Sequence, residues 1–461
     1  MATHEMSPVD AAWFHMDGPA NPAIVNALIT TTRPLPFARV KAVFKDRLLR
    51  FERFRQRVVE AGLGLGTPLW EDIADFDLDL HLHHRAVPAP GHEAALRALV
   101  DDLVSAPLPH GQALWQAYVL ESPAGGGALL LRYHHCIGDG LAMMTVARTL
   151  FDTSAQVKKL PPPETAPAAP HGEDLLGAAF EALAHPQQLA EAATRLAEGA
   201  RVLLADLLKP GDPPSPFKGD FGQQQRVAWS APIPIDDVKA IAWPFNAKVN
   251  DVLVAAVAGA LRSYLARRGI DLRQAQLRAM VPVNLRPPER ALALGNEFGL
   301  VILDLPVGTA NAMQRVAQTK ANMDALKRSP EPVAMQWLLD LFGRGPKPLQ
   351  DLAQCVFGSK ASVVLTNVAG PRRKLYLAGA PVQRMLFWVP HPGDGLGMGL
   401  SLMSYDGQVV LGVIGDARLV PDPERITAAF ETEFARLKGR VAAAQARRER
   451  LQRHTSGHRV A

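Results

Sequence analysis

Apolar residues recur along this chain at two spacings, and each spacing predicts an element. From Ile24 to Ile29 they run almost unbroken, as in a strand buried on both faces. From Phe37 to Phe51 they fall at Val40, Val43, Phe44, Leu48 and Leu49, one stripe of an amphipathic helix. Residues 94–104 repeat the helical spacing. Trp115 to Glu121 and Ala128 to Tyr133 read as strands, joined by the turn-rich Ser122-Pro123-Ala124-Gly125-Gly126-Gly127. A helical run, Leu141 to Phe151, follows.

The pattern then breaks. Residues 160–170 are rich in proline and alanine and predict extended chain. A helical Ala/Leu pattern over 173–208 ends at Lys209-Pro210-Gly211-Asp212-Pro213-Pro214-Ser215-Pro216. Residues 153–220 therefore read as a connection carrying a surface helix. Alternation resumes at Gln225. Strands are expected at 226–229, 278–283, 299–305, 362–365, 400–405 and 408–415, the last two joined by Asp406-Gly407, a strong hairpin signal. Helices are expected at 236–241, 249–267, 309–327, 331–342 and from 423 past 441. No period repeats along the chain. The order predicts an α/β protein of two similar layered domains, 1–152 and 221–445, with a ligand cleft between them and a flexible tail at 446–461.

Composition changes this picture in two places. At 461 residues the chain exceeds the size of most single cores, which supports two domains. With 2 cysteines, Cys136 and Cys355, no disulfide framework holds it, as suits a reducing cytoplasm. The first residues lack the basic start and apolar stretch of a signal peptide, and no uninterrupted apolar run reaches the roughly 18 residues of a membrane span. The formal charge of +5 is concentrated at the end: residues 436–461 hold eight Lys/Arg against Glu449, so this segment carries +7 and the rest −2. Such a segment is either a solvated helix end or a patch attracted to anionic lipid headgroups, at about 1 kcal/mol per nearby cation. Aromatic and basic residues do not interleave there, so nucleic acid is not an expected partner.

The candidate chemistry lies at the junction of the 128–133 strand and the 141–151 helix, in His134-His135-Cys136-Ile137-Gly138-Asp139-Gly140. Histidine titrates near neutrality and so serves as both base and acid. Adjacent residues on a strand point to opposite faces, so one histidine can face a cleft while the other packs inward. The same geometry keeps the pair from sharing a metal, and no third ligand is spaced nearby, so no metal is expected. Two histidines satisfied inside a core would give the same string. Asp139, at the helix start, is favoured by capping and by the helix dipole, which makes it an organiser of the loop. Gly140 opens the helix without a side chain in the way. Met143 and Met144 read as helix core, and Cys136 as a spacer with nothing nearby to form a thiolate.

The motif is one of several that together resemble the bacterial wax ester synthase/diacylglycerol acyltransferases, within the acyl-CoA-dependent acyltransferase superfamily of chloramphenicol acetyltransferase and condensation domains. The others are Met6-Ser7-Pro8-Val9-Asp10, Phe76-Asp77-Leu78-Asp79 with Val87-Pro88-Ala89-Pro90-Gly91, and Pro107-Leu108 with Leu114-Trp115, where Ala113 stands for the family's proline. Asn250-Asp251, Val281-Pro282-Val283-Asn284-Leu285-Arg286, Gly295-Asn296 and Asn367-Val368-Ala369-Gly370-Pro371 complete the set. The resemblance implies a chloramphenicol acetyltransferase-like fold with an active-site tunnel between the domains. It implies His135 as general base, His134 as its support, and Asp139 held by an arginine, for which Arg286 is the candidate. The substrates implied are acyl-CoA and a diacylglycerol or long-chain alcohol, giving triacylglycerol or wax ester; CoA arrives as part of a substrate, so no cofactor is expected. Asn250 would supply an N–H to the oxyanion, or it simply caps the helix beginning near Asp251. Trp115 would line the acyl passage or belong to the core. Asn367 and Gly370 would shape the passage or make a turn. Insoluble products imply a cytoplasmic enzyme peripheral at the inner membrane surface or at lipid inclusions. Two rivals share the fold: a condensation-type transferase fed by a carrier protein, and a non-catalytic lipid-binding protein.

Overall fold

The unbroken apolar stretch at Ile24 becomes a central strand, and the elements around it form in sequence order. The computed structural model describes residues 3–18, 20–60, 67–122, 125–159, 211–213, 215–273, 275–287, 294–329, 331–344, 358–391 and 395–457. The first half forms β1 (Thr3–Glu5), α1 (Pro8–His15), β2 (Ile24–Thr31), α2 (Phe37–Arg47), β3 (Gln56–Val59), β4 (Leu69–Asp72), β5 (Leu82–Ala86), α3 (Glu93–Ser105), β6 (Trp115–Glu121), β7 (Gly127–His134) and α4 (Gly140–Leu150). β1, β4 and β3 make a small antiparallel sheet. The main sheet of this half is built on β2 and β7, paired antiparallel from Ile24↔His134 to Thr31↔Gly127, with β6 and then the parallel β5 beyond β7.

The second half forms β8 (Gln225–Trp229), β9 (Ile233–Pro234), α5 (Ile235–Ala242), α6 (Val249–Arg267), β10 (Leu277–Asn284), β11 (Phe298–Leu305), α7 (Ala312–Leu326), α8 (Glu331–Arg344), β12 (Val363–Ala369), β13 (Tyr376–Leu377), β14 (Ala380–Trp388), β15 (Met398–Tyr405), β16 (Gln408–Asp416) and α9 (Glu424–Gly457). Its sheet runs β11-β10-β12-β15-β16-β8, with β9 on β16. The Asp406-Gly407 turn joins β15 to β16 with φ of 46° and 76°, the pair of left-handed residues that a tight hairpin requires. α6 is apolar nearly all round and long enough to span a bilayer, but most of it is buried between this sheet, α7 and α9. Gly259 lets α9 approach: a Cβ there would lie 2.5 Å from Glu433 Cγ.

The two domains exchange strands, so the expected 221–445 segment does not lie wholly in the second one. β13 and β14 leave the second half and complete the first half's sheet, giving the order β13-β14-β2-β7-β6-β5. Trp388, buried on β14, donates from Nε1 to Ala228 O at 3.1 Å and ties that sheet back to β8. One apolar cluster therefore fills the space between the two sheets, from Trp13 and Leu131 to Leu300 and Val364, and a second fills the space behind the C-terminal sheet. α9 continues as helix to Gly457, into the segment expected to be a tail. Most of the 153–220 connection, with its expected surface helix, lies outside the described residues.

Candidate functional site

The histidine loop begins where a sheet ladder ends. Ile24↔His134 is the last pair of β2 and β7, and the His135 N–H still reaches Ala23 O at 2.8 Å. Residues His135–Ile137 then make one turn of 3-10 helix. Asp139 stops it and starts α4: its Oδ1 accepts the N–H of Leu141 at 3.0 Å and of Ala142 at 2.9 Å. Its other oxygen faces the second half, accepting Arg286 Nη2 at 2.8 Å and the Glu297 N–H at 3.1 Å. Arg286 Nη2 donates also to Gly295 O at 2.8 Å. Backbone bonds from Asp139 N–H to Gly295 O and from Gly295 N–H to Ile137 O close the seam. Gly295 holds φ of +99°, a left-handed backbone that disfavours a side chain.

This frame sends the two histidines opposite ways. His134 turns inward, its Nδ1 accepting the Cys136 N–H at 3.1 Å and its Nε2 lying 3.7 Å from Asp17 Oδ1. Burial holds its pKa down at about 3. The His135 ring lies flat on Trp13, centroids 3.8 Å apart and planes 12° apart, with Phe298 at 5.8 Å. Its Nδ1 is buried, which leaves Nε2 as the nitrogen that meets the cavity. Its carbonyl accepts Asn296 Nδ2 at 2.8 Å, and the same amide donates to Asp10 Oδ1 at 2.7 Å. Burial raises Asp10 to about 6. Burial also lowers His135 to about 4, opposed by the Asp139 charge, so the imidazole is a neutral acceptor at neutral pH. A neutral base is needed for proton abstraction, and a lowered pKa keeps it neutral further into acid. The acid limb of kcat/KM is therefore expected near pH 4, with the plateau holding at pH 5.5; a limb at 6.5, the value of a solvated ring, contradicts this burial.

His135, Asp139 and Gly140 line a cavity of about 470 Å³ whose walls come from both halves. Its part between α4 and the N-terminal sheet is walled by Ile29, Leu131, Val146, Phe151 and Met385, all apolar. The opposite wall is Met280, Leu300 and Val364 of the C-terminal sheet. At Gly140 an added Cβ would stand 3.1 Å from Val368 Cγ2, so α4 begins close against β12.

Of the residues singled out from sequence, His135, Asp139, Gly140 and Asn367 line this cavity, and Arg286 meets Asp139. Trp115 does not line it: it is fully buried in the N-terminal core, donating to Phe54 O at 2.9 Å and stacked on His81. Asn250 is not a helix cap. α6 starts at Val249, and Asp251 holds the helix start by accepting the Lys248 N–H at 2.8 Å. Asn250 Oδ1 accepts Asn367 Nδ2 at 2.7 Å, on the far side of the C-terminal sheet from the walls around His135. Met143 and Met144 face the cavity, whereas the sequence placed them in the core. Cys136 is buried, which pushes its thiol pKa up and leaves it without thiolate character. Sequence reasoning missed Trp13, Phe298 and the part played by Asp10 and Asn296. The available signal was Ser7-Pro8, a cap followed by proline at a first helical position, which starts α1 and sets Trp13 three residues after Asp10 on nearly the same face.

Residues 6–253 match the wax ester synthase/diacylglycerol acyltransferase catalytic domain, and residues 294–438 match the corresponding C-terminal domain. The chain is 29% identical over 401 residues to "Probable diacyglycerol O-acyltransferase tgs1" of Mycobacterium tuberculosis (strain ATCC 25618 / H37Rv), covering 85% of this chain and 86% of that one. Among solved structures it shares its fold with the wax ester synthase/diacylglycerol acyltransferase of Marinobacter aquaeolei VT8, at TM-score 0.68 and 22% identity over 95% of this chain and 100% of that one. It also shares its fold with the first condensation domain of the CDA synthetase, at TM-score 0.60 and 17% identity over 96% of each chain.

Proposed function

Since the chain belongs to the wax ester synthase/diacylglycerol acyltransferase family, we propose that His135 is the base of an acyl transfer from a long-chain acyl-CoA to the hydroxyl of a diacylglycerol or a long-chain alcohol. The observation that carries this is the neutral His135 ring, fixed against Trp13 and opening on an apolar cavity walled by both halves.

In this mechanism Nε2 takes the hydroxyl proton as the oxygen attacks the thioester carbonyl. The C–O bond forms, the carbonyl pair moves onto oxygen, and the tetrahedral intermediate collapses with cleavage of the C–S bond. The imidazolium returns its proton to the departing thiolate, so the products are ester and free CoA thiol. Trp13 beneath the ring favours the imidazolium through its π face. The remaining contribution is alignment of two substrates in a water-poor passage between the halves. CoA enters with its acyl group, and the scheme uses no resident cofactor or metal.

The acceptor and the product are insoluble in water, so the reading extends to a cytoplasmic enzyme docked on a membrane surface or lipid inclusion. Trp243, 84% exposed at the end of α5, and the exposed Arg440 and Arg447 of α9 support this. Lys438 of α9 binds Asp237 of α5 at 2.7 Å, which sets the two features side by side.

The test is thiol release from palmitoyl-CoA, with hexadecanol or with dioleoylglycerol in anionic vesicles. Acceptor-dependent release is expected, with the chain sedimenting with the vesicles at low salt. No release with either acceptor overturns the activity; release without vesicle binding removes only the surface docking. A condensation-type enzyme fed by a carrier protein would show no thiol release that depends on hexadecanol or dioleoylglycerol.

A further inference from the structure

The C-terminal sheet is split beside the catalytic cavity. β10 and β12 pair at only two positions, Ala279↔Val363 and Met280↔Val364. Beyond them β10 stays with β11 as far as Asn284, and β12 stays with β15 as far as Ala369. Pro282 stands two residues past the last pair and has no N–H to extend a ladder toward β12. A slit therefore opens inside the sheet, between Pro282 and Thr366-Asn367.

Those three residues line two cavities. One is the cavity at His135. The other, about 490 Å³, lies on the opposite face of the sheet under α6 and α7, walled by Val254, Leu303, Met323 and Leu326. Strand alternation keeps the faces apart: Met280 and Val364 turn to the first cavity, Val281 and Leu365 to the second. Protein interiors are close-packed, with few voids larger than a water molecule. An apolar-walled space of this size, sharing Pro282, Thr366 and Asn367 with the catalytic cavity across a gap in the sheet, suits an aliphatic occupant.

We infer that the acyl chain of the donor threads the slit and lies in the cavity behind the C-terminal sheet, while the acceptor lipid occupies the part of the first cavity against the N-terminal sheet. This rests on the acyl-transfer reading above. Both substrates carry long chains, and both must bring their reacting ends to one imidazole. A second apolar space on the other face of the sheet gives the second chain a place of its own. A slit between strands suits the single polymethylene chain that every long-chain acyl-CoA carries better than the paired chains of a diacylglycerol acceptor, and the assignment follows from that. Asn367, on the slit and bonded to Asn250 behind it, sits where the chain would pass.

The experiment fills the rear cavity with Met323→Trp, at a half-buried wall position remote from His135. A second variant, Val254→Phe, probes the same space from α6. Thiol release is measured with donors from butyryl-CoA to stearoyl-CoA at fixed hexadecanol, and with alcohols of varied length at fixed butyryl-CoA. The expected result is a fall of about tenfold or more in kcat/KM for palmitoyl-CoA, with butyryl-CoA within twofold of wild type and the alcohol series unchanged. An unchanged donor profile in both variants, equal losses for all donors, or a shift in the alcohol series overturns the assignment while leaving the activity intact. A wild-type chain that releases thiol from no donor overturns the activity and this inference together.

Discussion

His135→Ala is expected to lower thiol release from palmitoyl-CoA by about a thousandfold, within the 10²–10⁴ range typical of a positioned general base. The substrates would still be aligned, so the residual rate reports proximity and exclusion of water alone. The neighbouring histidine supplies the control. His134 turns away from the cavity, where its Nδ1 accepts the Cys136 N–H and its Nε2 lies near Asp17. His134→Ala should therefore lower the thermal midpoint, because a buried N–H loses its acceptor, while the folded fraction keeps activity within about tenfold. Equal losses of activity in the two variants would mean that the motif acts as a structural unit and that position 135 holds no special proton. Activity retained in His135→Ala would remove the base outright.

Why the motif could be found in sequence, and its surroundings could not, follows from where each signal lies. β6 and α6 appear at the bounds their periodicity gives, Trp115–Glu121 and Val249–Arg267, because alternation and helical stripes are local properties. The opposite facing of His134 and His135 is local too, since it needs only a strand and its end. Arg286 is different: its place on Asp139, 147 residues away, was an implication of family resemblance, and nothing in its own neighbourhood announces it. β14 escaped for a related reason. Its residues Ala380–Trp388 hold a proline and two polar positions, and what makes them a strand is the free edge of β2, contributed by the other half. The same crossing carries part of the expected 221–445 segment into the first domain. Trp13 was legible only as a large apolar residue in a short helix; its use as a platform for His135 depends on α1 lying across the 3-10 turn. Asn250 and Trp115 show the converse. Both sit in motifs, yet the tertiary structure puts one behind the sheet and the other deep in the core.

The second large effect is expected at the buried pair that joins the halves. Arg286 and Asp139 lie 2.8 Å apart, and Arg286 Nη2 also holds Gly295 O. Arg286→Ala leaves the Asp139 carboxylate facing a closed seam without its cation. Breaking one side of such a pair costs about 3–5 kcal/mol, because the remaining charge is left buried. The loop from His135 to Asp139 would keep its helix cap through Oδ1 and its backbone bonds to Gly295 but lose the guanidinium that ties its carboxylate to Gly295 O. A displacement of about 1 Å at the base is enough for a roughly hundredfold loss, so kcat should fall by that order while KM moves little. Arg286→Lys restores charge but not the forked donor geometry, and should recover only part of kcat. The decisive measurement is the cycle with Asp139→Ala. Each single variant removes the same contact, so the double variant should be about as slow and about as unstable as the worse single one, a coupling equal to the smaller of the two single losses. Additive losses would show that the two side chains act independently, and the seam between the halves would then rest on the backbone bonds of Gly295 and on the Asn296 amide that meets His135 O and Asp10.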